Sequence, residues 1–388
     1  MKVLELSENL GAAYAGMLLA ELGADVMKVE PPSGDPWRSQ TGGPRDDWAF
    51  VYANRRKRSV AIDLAARAGK QALKNLVANC DAVIEDLGAG ELRSRGLSYA
   101  SLKRVNPRIV VASIAPFGQE GPRSGWQASE LVVQAMGGVV HNTGWDGEPP
   151  LRLAGYPAAF IAGINAATAV LAAVYGVEAG NESGVHIDLS MQETFAMHWT
   201  RHIDQWCYAG TGTRRERRES GRQGFPHSVM ASDGFLYILA LRAEWEALAF
   251  FLGLEEFITP EFSDPKVRAE RWQEIEPHFY ESIAGKGRYE WFAEAADQGY
   301  TFAPIDDPMA ILASPQLAAR AYFEPAQVDG REAPCPGLPF GFDGAELAPN
   351  RAPEAGEHTD SVLRAVAGLS QTEIDALAAS GVIGGRRS

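Results

Sequence analysis

Cysteine is scarce in this sequence, and the few cysteines lie far apart. The 388-residue chain contains only three, Cys80, Cys207 and Cys335, and no two of them form a C-x-x-C pair. A disulfide framework and a cysteine-based zinc site are therefore not expected. His198 and His202 are spaced to share one helix face, but no acidic metal-binding motif accompanies them, so we expect no metal.

The sequence also lacks an excess of basic residues and a targeting segment. Its 50 acidic residues outnumber 36 basic ones, which gives a formal net charge of −14. Proteins that bind nucleic acids or anionic membranes generally need a basic surface, so neither kind of partner is expected. The first residues do not show the basic and apolar regions of a signal peptide, and we expect a cytoplasmic protein.

Charge is missing altogether from one long stretch. Residues 153–177 contain no charged side chain in 25 positions, a length that could span a bilayer as a helix. However, the stretch is rich in Ala and Gly and is interrupted by Pro157, Asn165 and Thr168. Its alanines recur at helical spacing, which predicts a buried helix that other backbone approaches closely.

Residues 1–115 alternate between strand and helix patterns. Strands are predicted at residues 2–6, 25–30, 60–64, 82–85 and 108–114, with helices at 12–22 and 65–79. This alternation predicts an α/β fold with a mostly parallel sheet, in which ligands bind beyond the carboxyl ends of the strands. Neither G-x-G-x-x-G nor G-x-x-x-x-G-K-[ST] follows the first strand, so a standard dinucleotide site and a P-loop are not supported.

The most basic short segment near the start is NRRKRS at residues 54–59. Four consecutive cations could hold the phosphates of a nucleotide-like ligand by charge-assisted hydrogen bonds. Alternatively, they could form a solvated sheet edge that discourages pairing with another chain.

Several segments, in order along the chain, resemble one known family. They are residues 3–6 (VLEL), 15–30, 34–38, 54–64, 106–110, 117–122 (FGQEGP), 233–234, 303–305 and 356–359. In this order they resemble the class III CoA transferases, also called the carnitine dehydratase and bile-acid-inducible family.

The resemblance implies an architecture that periodicity does not reveal. Family members have a large Rossmann-like domain built from both chain ends, a smaller middle α/β domain, and two subunits that form an interlinked dimer. On this sequence we expect a large CoA-binding domain at residues 1–212, a small domain at 213–325 and a C-terminal return at 326–388. Polar and Pro/Gly-rich stretches near these limits are typical of linkers.

The resemblance also implies CoA contacts. Arg38 and Lys57 match family positions that hold CoA phosphates. Relatives have ENFRPG where residues 85–90 read EDLGAG, which places Asp86 near the bound CoA. A basic position shortly afterwards is Ser94 here, although Arg93 and Arg95 flank it. Asn9 is a candidate for a polar group facing the acyl carbonyl, or else it caps the following helix.

The family nucleophile is absent. Transferases of this family use an aspartate that attacks the thioester carbonyl and forms a mixed anhydride, a form of covalent catalysis. It follows a motif that LAGYP at residues 153–157 matches, and the equivalent position here is Ala159 or Phe160. Glu130 matches an acidic family position and is a candidate for general acid–base chemistry. It could instead stabilise the start of its own helix, with Ser129 as the cap.

We therefore expect a protein of the CoA-transferase family that binds acyl-CoA and a carboxylate, as a homodimer or with a related subunit. CoA transfer between carboxylic acids, by a transferase whose nucleophile has moved to Glu130, is the first interpretation. The alternatives are a non-catalytic subunit whose related partner supplies the aspartate, an acyl-CoA lyase, hydratase or isomerase that uses Glu130, and a CoA sensor. Candidates for an apolar acyl pocket are Trp126, Tyr156, Phe160 and Trp206.

Overall fold

The computed structural model describes residues 1–39, 48–180, 183–210, 215, 225–239, 245–328, 331–341 and 350–385. The chain divides into two compact units. The large unit comprises residues 1–141, 152–210 and 321–388, and the small unit comprises residues 142–151 and 211–320. Residue 213, where we placed the first domain limit, lies outside the described residues, and the three domain ranges stay a prediction.

A six-stranded parallel sheet forms the centre of the large unit. The strands are β1 (Lys2–Leu6), β2 (Asp25–Glu30), β3 (Arg58–Ala61), β4 (Ala82–Glu85), β5 (Val110–Ala115) and β6 (His186–Ser190). Their spatial order is β3-β2-β1-β4-β5-β6, and every neighbouring pair is parallel. The chain therefore reverses its direction of travel across the sheet between β1 and β4, which is where open α/β sheets bind ligands.

The helices described between residues 10 and 209 include those that cover the two faces of this sheet. They are α1 (Leu10–Glu21), α2 (Trp48–Asn54), α3 (Arg67–Val77), α4 (Glu91–Ser94), α5 (Tyr99–Val105), α6 (Glu130–Met136), α7 (Val139–Asn142), α8 (Pro157–Glu178), α9 (Met191–Ala196) and α10 (Thr200–Ala209). The α/β prediction is confirmed. The predicted bounds of β1, β2 and β4 coincide with the observed ones.

The uncharged stretch forms α8, which packs against α1 and the sheet. By length and composition α8 could cross a membrane. Its buried face, however, contributes Ala162, Ala166 and Val170 to the core between the sheet and α1. A Cβ atom added at Gly163 would lie 2.9 Å from the backbone oxygen of Gly11, so the small residues permit close approach of the two helices. α8 therefore serves as a core helix of this unit.

The C-terminal segment returns to the large unit. After the hairpin of β10 (Phe323–Val328) and β11 (Arg331–Pro336) come α17 (Thr359–Ala365) and α18 (Gln371–Ala379). Val362 and Leu363 are fully buried against β1, β2 and β3 side chains, and Ile383 pairs with Ile62 beyond the end of β3. Both chain ends thus build one core.

The small unit has its own aromatic core. Its antiparallel sheet contains β7 (Ser228–Ala231), β8 (Gly234–Leu239) and β9 (Thr301–Pro304). Its helices are α11 (Trp245–Phe251), α12 (Pro265–Glu270), α13 (Trp272–Ala284), α14 (Arg288–Asp297), α15 (Pro308–Leu312) and α16 (Pro315–Ala319). Trp245, Trp272, Phe279 and Trp291 pack in this core. It is a separate α/β unit.

Candidate functional site

A cavity of about 600 Å³ lies at the reversal point of the sheet. Residues 8–11, which comprise the loop after β1 and the first two residues of α1, form one side of it together with the loop after β4, residues 86–89. The first residues of α6 and α8 form another side, together with Trp37 and Met191. All lining residues belong to the large unit. Its position agrees with the expectation that a ligand binds at the carboxyl ends of the strands.

Asp86 organises the loop after β1. Its Oδ1 accepts hydrogen bonds from the backbone N–H groups of Glu8 (2.8 Å) and Asn9 (3.1 Å), and its Oδ2 accepts one from Ala12 (2.9 Å). Burial raises the pKa of Asp86 to about 7, although these N–H groups favour the charged form and lower it. Asp86 thus lines the cavity and also holds in place the backbone of residues 8–12, part of which forms the cavity wall.

Asn9 lies at the start of α1 and lines the cavity. Its side chain makes no capping hydrogen bond; instead, Nδ2 donates to the backbone oxygen of Asp86 at 3.2 Å. Asn9 therefore occupies the N-cap position of α1, but its amide bridges to the neighbouring loop instead of capping the helix with a side-chain bond.

Glu130 and Ala159 meet at the start of α8. Glu130 is the first residue of α6, and its carboxylate accepts hydrogen bonds from the N–H groups of Ala158 (2.8 Å) and Ala159 (3.2 Å). Gln134 Nε2 donates a third, at 2.9 Å. Ser129 makes no capping hydrogen bond with its side chain. Ser129 thus takes the N-cap position of α6 without a side-chain bond, and the half-exposed Glu130 carboxylate caps the start of α8.

Of the two positions equivalent to the family aspartate, Ala159 is the one that lines the cavity. The ring of Phe160 instead packs against Tyr14, with centroids 4.7 Å apart, and against Tyr52 at 6.3 Å. No carboxylate occurs at residues 153–177. At this point of the cavity wall, the carboxylate of Glu130 accepts a hydrogen bond from Ala159 N.

The cations predicted to hold phosphates have protein partners. Arg38 donates to both oxygens of Glu30 (2.9 and 2.8 Å) and to the backbone oxygen of Pro353. The side chain of Lys57 is fully buried and pairs with Glu5 at 2.6 Å. Burial lowers the pKa of Lys57 to about 8, while Glu5 opposes that shift. Within the basic run, Arg55 and Lys57 are therefore buried rather than solvated, and a phosphate contact from Arg38 or Lys57 stays a prediction.

Arg93 is exposed on α4 and does not line the cavity, whereas its neighbour Arg95 does. Arg95 pairs with Glu8 at 3.4 Å and Glu91 at 3.8 Å. Arg95 also lines a second cavity of about 540 Å³ beyond the carboxyl ends of β1 to β3, together with Ser94 and Lys70. Asn9, Asp86 and Glu130 therefore share one site, and Arg38, Lys57 and Arg93 do not line it.

Sequence reasoning missed two apolar members of the site, Trp37 and Met191. Trp37 packs edge-on against Tyr156 with centroids 5.9 Å apart, and its Nε1 donates to Glu8 O at 2.9 Å. Trp37 lies within the matched segment 34–38 (GDPWR), which was a usable signal. Trp126 and Tyr156 line the cavity as expected, but Phe160 and Trp206 do not.

Among the described residues, no group of three or more His, Cys, Asp or Glu side chains is arranged to hold a metal ion. His198 lies on the short turn before α10, and its Nδ1 is 2.9 Å from the backbone oxygen of Thr194.

Comparison with known proteins identifies the family. Residues 1–359 match the model of CoA-transferase family III. The chain is 30% identical to the succinyl-CoA:(R)-benzylsuccinate CoA-transferase subunit BbsE of Thauera aromatica, over 98% of this chain and 97% of that protein. It is 27% identical to a formyl-CoA:oxalate CoA-transferase of Streptomyces coelicolor, over 99% and 98%. A crystal structure of a CAIB/BAIF family protein from Brucella suis superposes with a TM-score of 0.82 at 28% identity, covering 93% of this chain and 97% of that one. The chain therefore belongs to CoA-transferase family III, whose enzymes transfer CoA between carboxylic acids.

Proposed function

We propose that this chain works in CoA transfer as a subunit that binds an acyl-CoA but supplies no nucleophile of its own. The observation that carries the proposal is Ala159, which lies in the cavity wall at the start of α8. An alanine methyl group cannot form the mixed anhydride on which the family reaction depends.

Glu130 is a poor replacement for the missing aspartate nucleophile because its carboxylate already accepts hydrogen bonds from the protein. Hydrogen bonds to a charged group are each worth about 1.5–3 kcal/mol. Attack on a thioester would convert the Glu130 carboxylate into a neutral anhydride and would weaken its bonds to Ala158 N and Ala159 N. A loss of about 3 kcal/mol corresponds to a rate roughly 100-fold lower.

A related chain with the aspartate is the partner that this proposal requires. The Thauera aromatica relative is itself named as a subunit of a CoA-transferase, which supports this arrangement. An interlinked pair of related chains, in the cytoplasm, is part of the proposal. The mass-spectrometric experiment below should also be run on this chain mixed with a homologue that retains the aspartate.

We base the proposed CoA contacts on which side chains line the cavity or are exposed beside it. Asn9 and Asp86 contact the thioester-bearing arm, because both line the cavity. We assign a phosphate contact to exposed Arg93. A phosphate role for Arg38 or Lys57 stays a prediction, and it requires their ion pairs with Glu30 and Glu5 to open.

Intact-protein mass spectrometry with hydroxylamine trapping tests the missing nucleophile. The wild-type chain, Ala159→Asp and the isosteric control Ala159→Asn are each incubated with a panel of acyl-CoAs. We expect an adduct and a hydroxamate mapped to position 159 only in Ala159→Asp. A hydroxamate mapped to Glu130 in the wild-type chain alone would contradict the proposal.

The second candidate function is chemistry by Glu130 itself, either as a relocated nucleophile or as the acid–base group of a lyase, hydratase or isomerase. It is favoured by the half-exposed position of Glu130 in the cavity wall. Product analysis separates a relocated nucleophile from an acid–base group, since a lyase, hydratase or isomerase converts acyl-CoA without an acceptor acid. Glu130→Gln would abolish that turnover.

A further inference from the structure

We infer that the cavity selects acyl groups that are bulky, aromatic and uncharged. This inference rests on the proposed function, because it requires the cavity to hold the acyl end of a CoA thioester. It goes further by naming the chemical class of that acyl group and the side chains that select it.

The apolar end of the cavity is lined by aromatic and aliphatic side chains against which an aromatic ring can pack. Trp37 and Tyr156 meet edge to face at an interplanar angle of 75°, and both are half-buried. Leu10, Ala159 and Met191 belong to the same cluster. Edge-to-face packing is a preferred arrangement of aromatic rings, so a third ring can continue it. The small side chain of Ala159 leaves room in the wall where the family aspartate would project.

The charges around the cavity disfavour a second carboxylate on the acyl group. Four carboxyl groups line it, those of Glu8, Asp86, Glu91 and Glu130, against one cation, Arg95, among the described lining residues. That cation already pairs with Glu8 and Glu91. A carboxylate buried beside other carboxylates without a cation is strongly disfavoured.

The hydrogen-bond donors nearest the apolar end already have partners. The N–H groups of Ala158 and Ala159 at the start of α8 would suit an anion, but Glu130 occupies both. Trp37 Nε1 donates to Glu8 O. A substrate carboxylate would have to displace one of these bonds, whereas an aromatic ring would not.

Isothermal titration calorimetry of the wild-type chain with CoA, benzoyl-CoA and succinyl-CoA tests the inference. We expect benzoyl-CoA to bind at least about tenfold more tightly than succinyl-CoA, and more tightly than CoA itself. Tyr156→Leu should weaken benzoyl-CoA binding by about fivefold while CoA binding is unchanged. The matched control is Tyr175→Leu, which alters an exposed tyrosine on α8, the helix that begins directly after Tyr156, and should change neither affinity.

The measured affinities distinguish a failure of the acyl selectivity from a failure of the proposed function. If CoA binds but benzoyl-CoA and succinyl-CoA bind equally well, the acyl selectivity is wrong and the proposed function stands. If none of the three thioester and thiol ligands binds, the proposed function fails and this inference fails with it. The wild-type affinities decide both questions even if Tyr156→Leu does not fold.

Discussion

Asp86 shows how one side chain couples the two loops at the reversal point of the sheet. It is buried, follows β4, and holds three backbone N–H groups at the start of α1. Burial favours its neutral form, and the N–H groups favour the anion. Since the resulting pKa is about 7, the protonation state of this residue changes within the physiological range.

Asp86→Asn should remove a pH dependence of stability. A carboxyl group whose pKa is raised in the folded state stabilises the fold at low pH, and that contribution is lost as the pH rises from about 4 to about 7. One pKa unit corresponds to about 1.4 kcal/mol, so the wild-type chain should lose on the order of 3 kcal/mol more than the variant across this range. Urea unfolding of both proteins, followed by circular dichroism at several pH values, measures the difference. Parallel pH profiles would contradict it, and exposed Asp204→Asn is the control.

The residue scale is where the sequence was least informative. Residues 54–59 predicted one basic surface, yet Arg55 and Lys57 are buried. Their partners are Glu21 and Glu5, acids placed within an otherwise apolar helix and strand. A buried charge needs a partner, so these acids were a signal that the cations turn inward. The pairing itself depends on tertiary contacts that no spacing reveals.

At the scale of elements, the central strands that are buried along their length were predictable and the half-exposed edge strand β6 was not. β1, β2 and β4 have continuous buried patterns, and their predicted bounds hold. β6, with the sequence HIDLS, was not predicted, because His186 and Asp188 give it a polar edge-strand character. β3 begins at Arg58, two residues earlier than predicted, because Arg58 pairs with Asp25 on β2. The start of β3 thus depends on an ion pair with the neighbouring strand β2.

The capping of α8 yields a prediction for this element. Glu130→Ala removes the acceptor of two N–H groups at its first turn, and we expect a loss of about 1–2 kcal/mol in the free energy of unfolding. Glu178→Ala, at the other end of the same helix, is the control. It removes a negative charge from the C-terminus, so stability should stay the same or rise by up to about 0.5 kcal/mol. Equal losses in both variants, measured by urea unfolding, would show that capping is not the role of Glu130.

At the scale of the whole molecule, one core depends on both ends of the chain. The resemblance implied that the C-terminal segment packs on the N-terminal sheet. Periodicity alone could not predict this packing, because the contacts join residues about 300 positions apart. The family model ends at residue 359, yet Val362, Leu363, Val366, Ile374, Val382 and Ile383 all belong to the core that contains β1, β2 and β3 side chains. The last helices are therefore structural parts of the large unit.

Leu363→Ala tests the contribution of this C-terminal return. Leu363 is fully buried among side chains of the N-terminal strands, so truncating it removes apolar contacts and leaves a cavity. A buried Leu→Ala change typically costs 2–5 kcal/mol, and we expect about 3 kcal/mol here. Leu131→Ala makes the same change at a side chain that is 49% exposed, and should cost less than about 1 kcal/mol. If urea unfolding gives similar losses for the two variants, the C-terminal helices do not stabilise the sheet, and the cavity at its carboxyl edge does not depend on them.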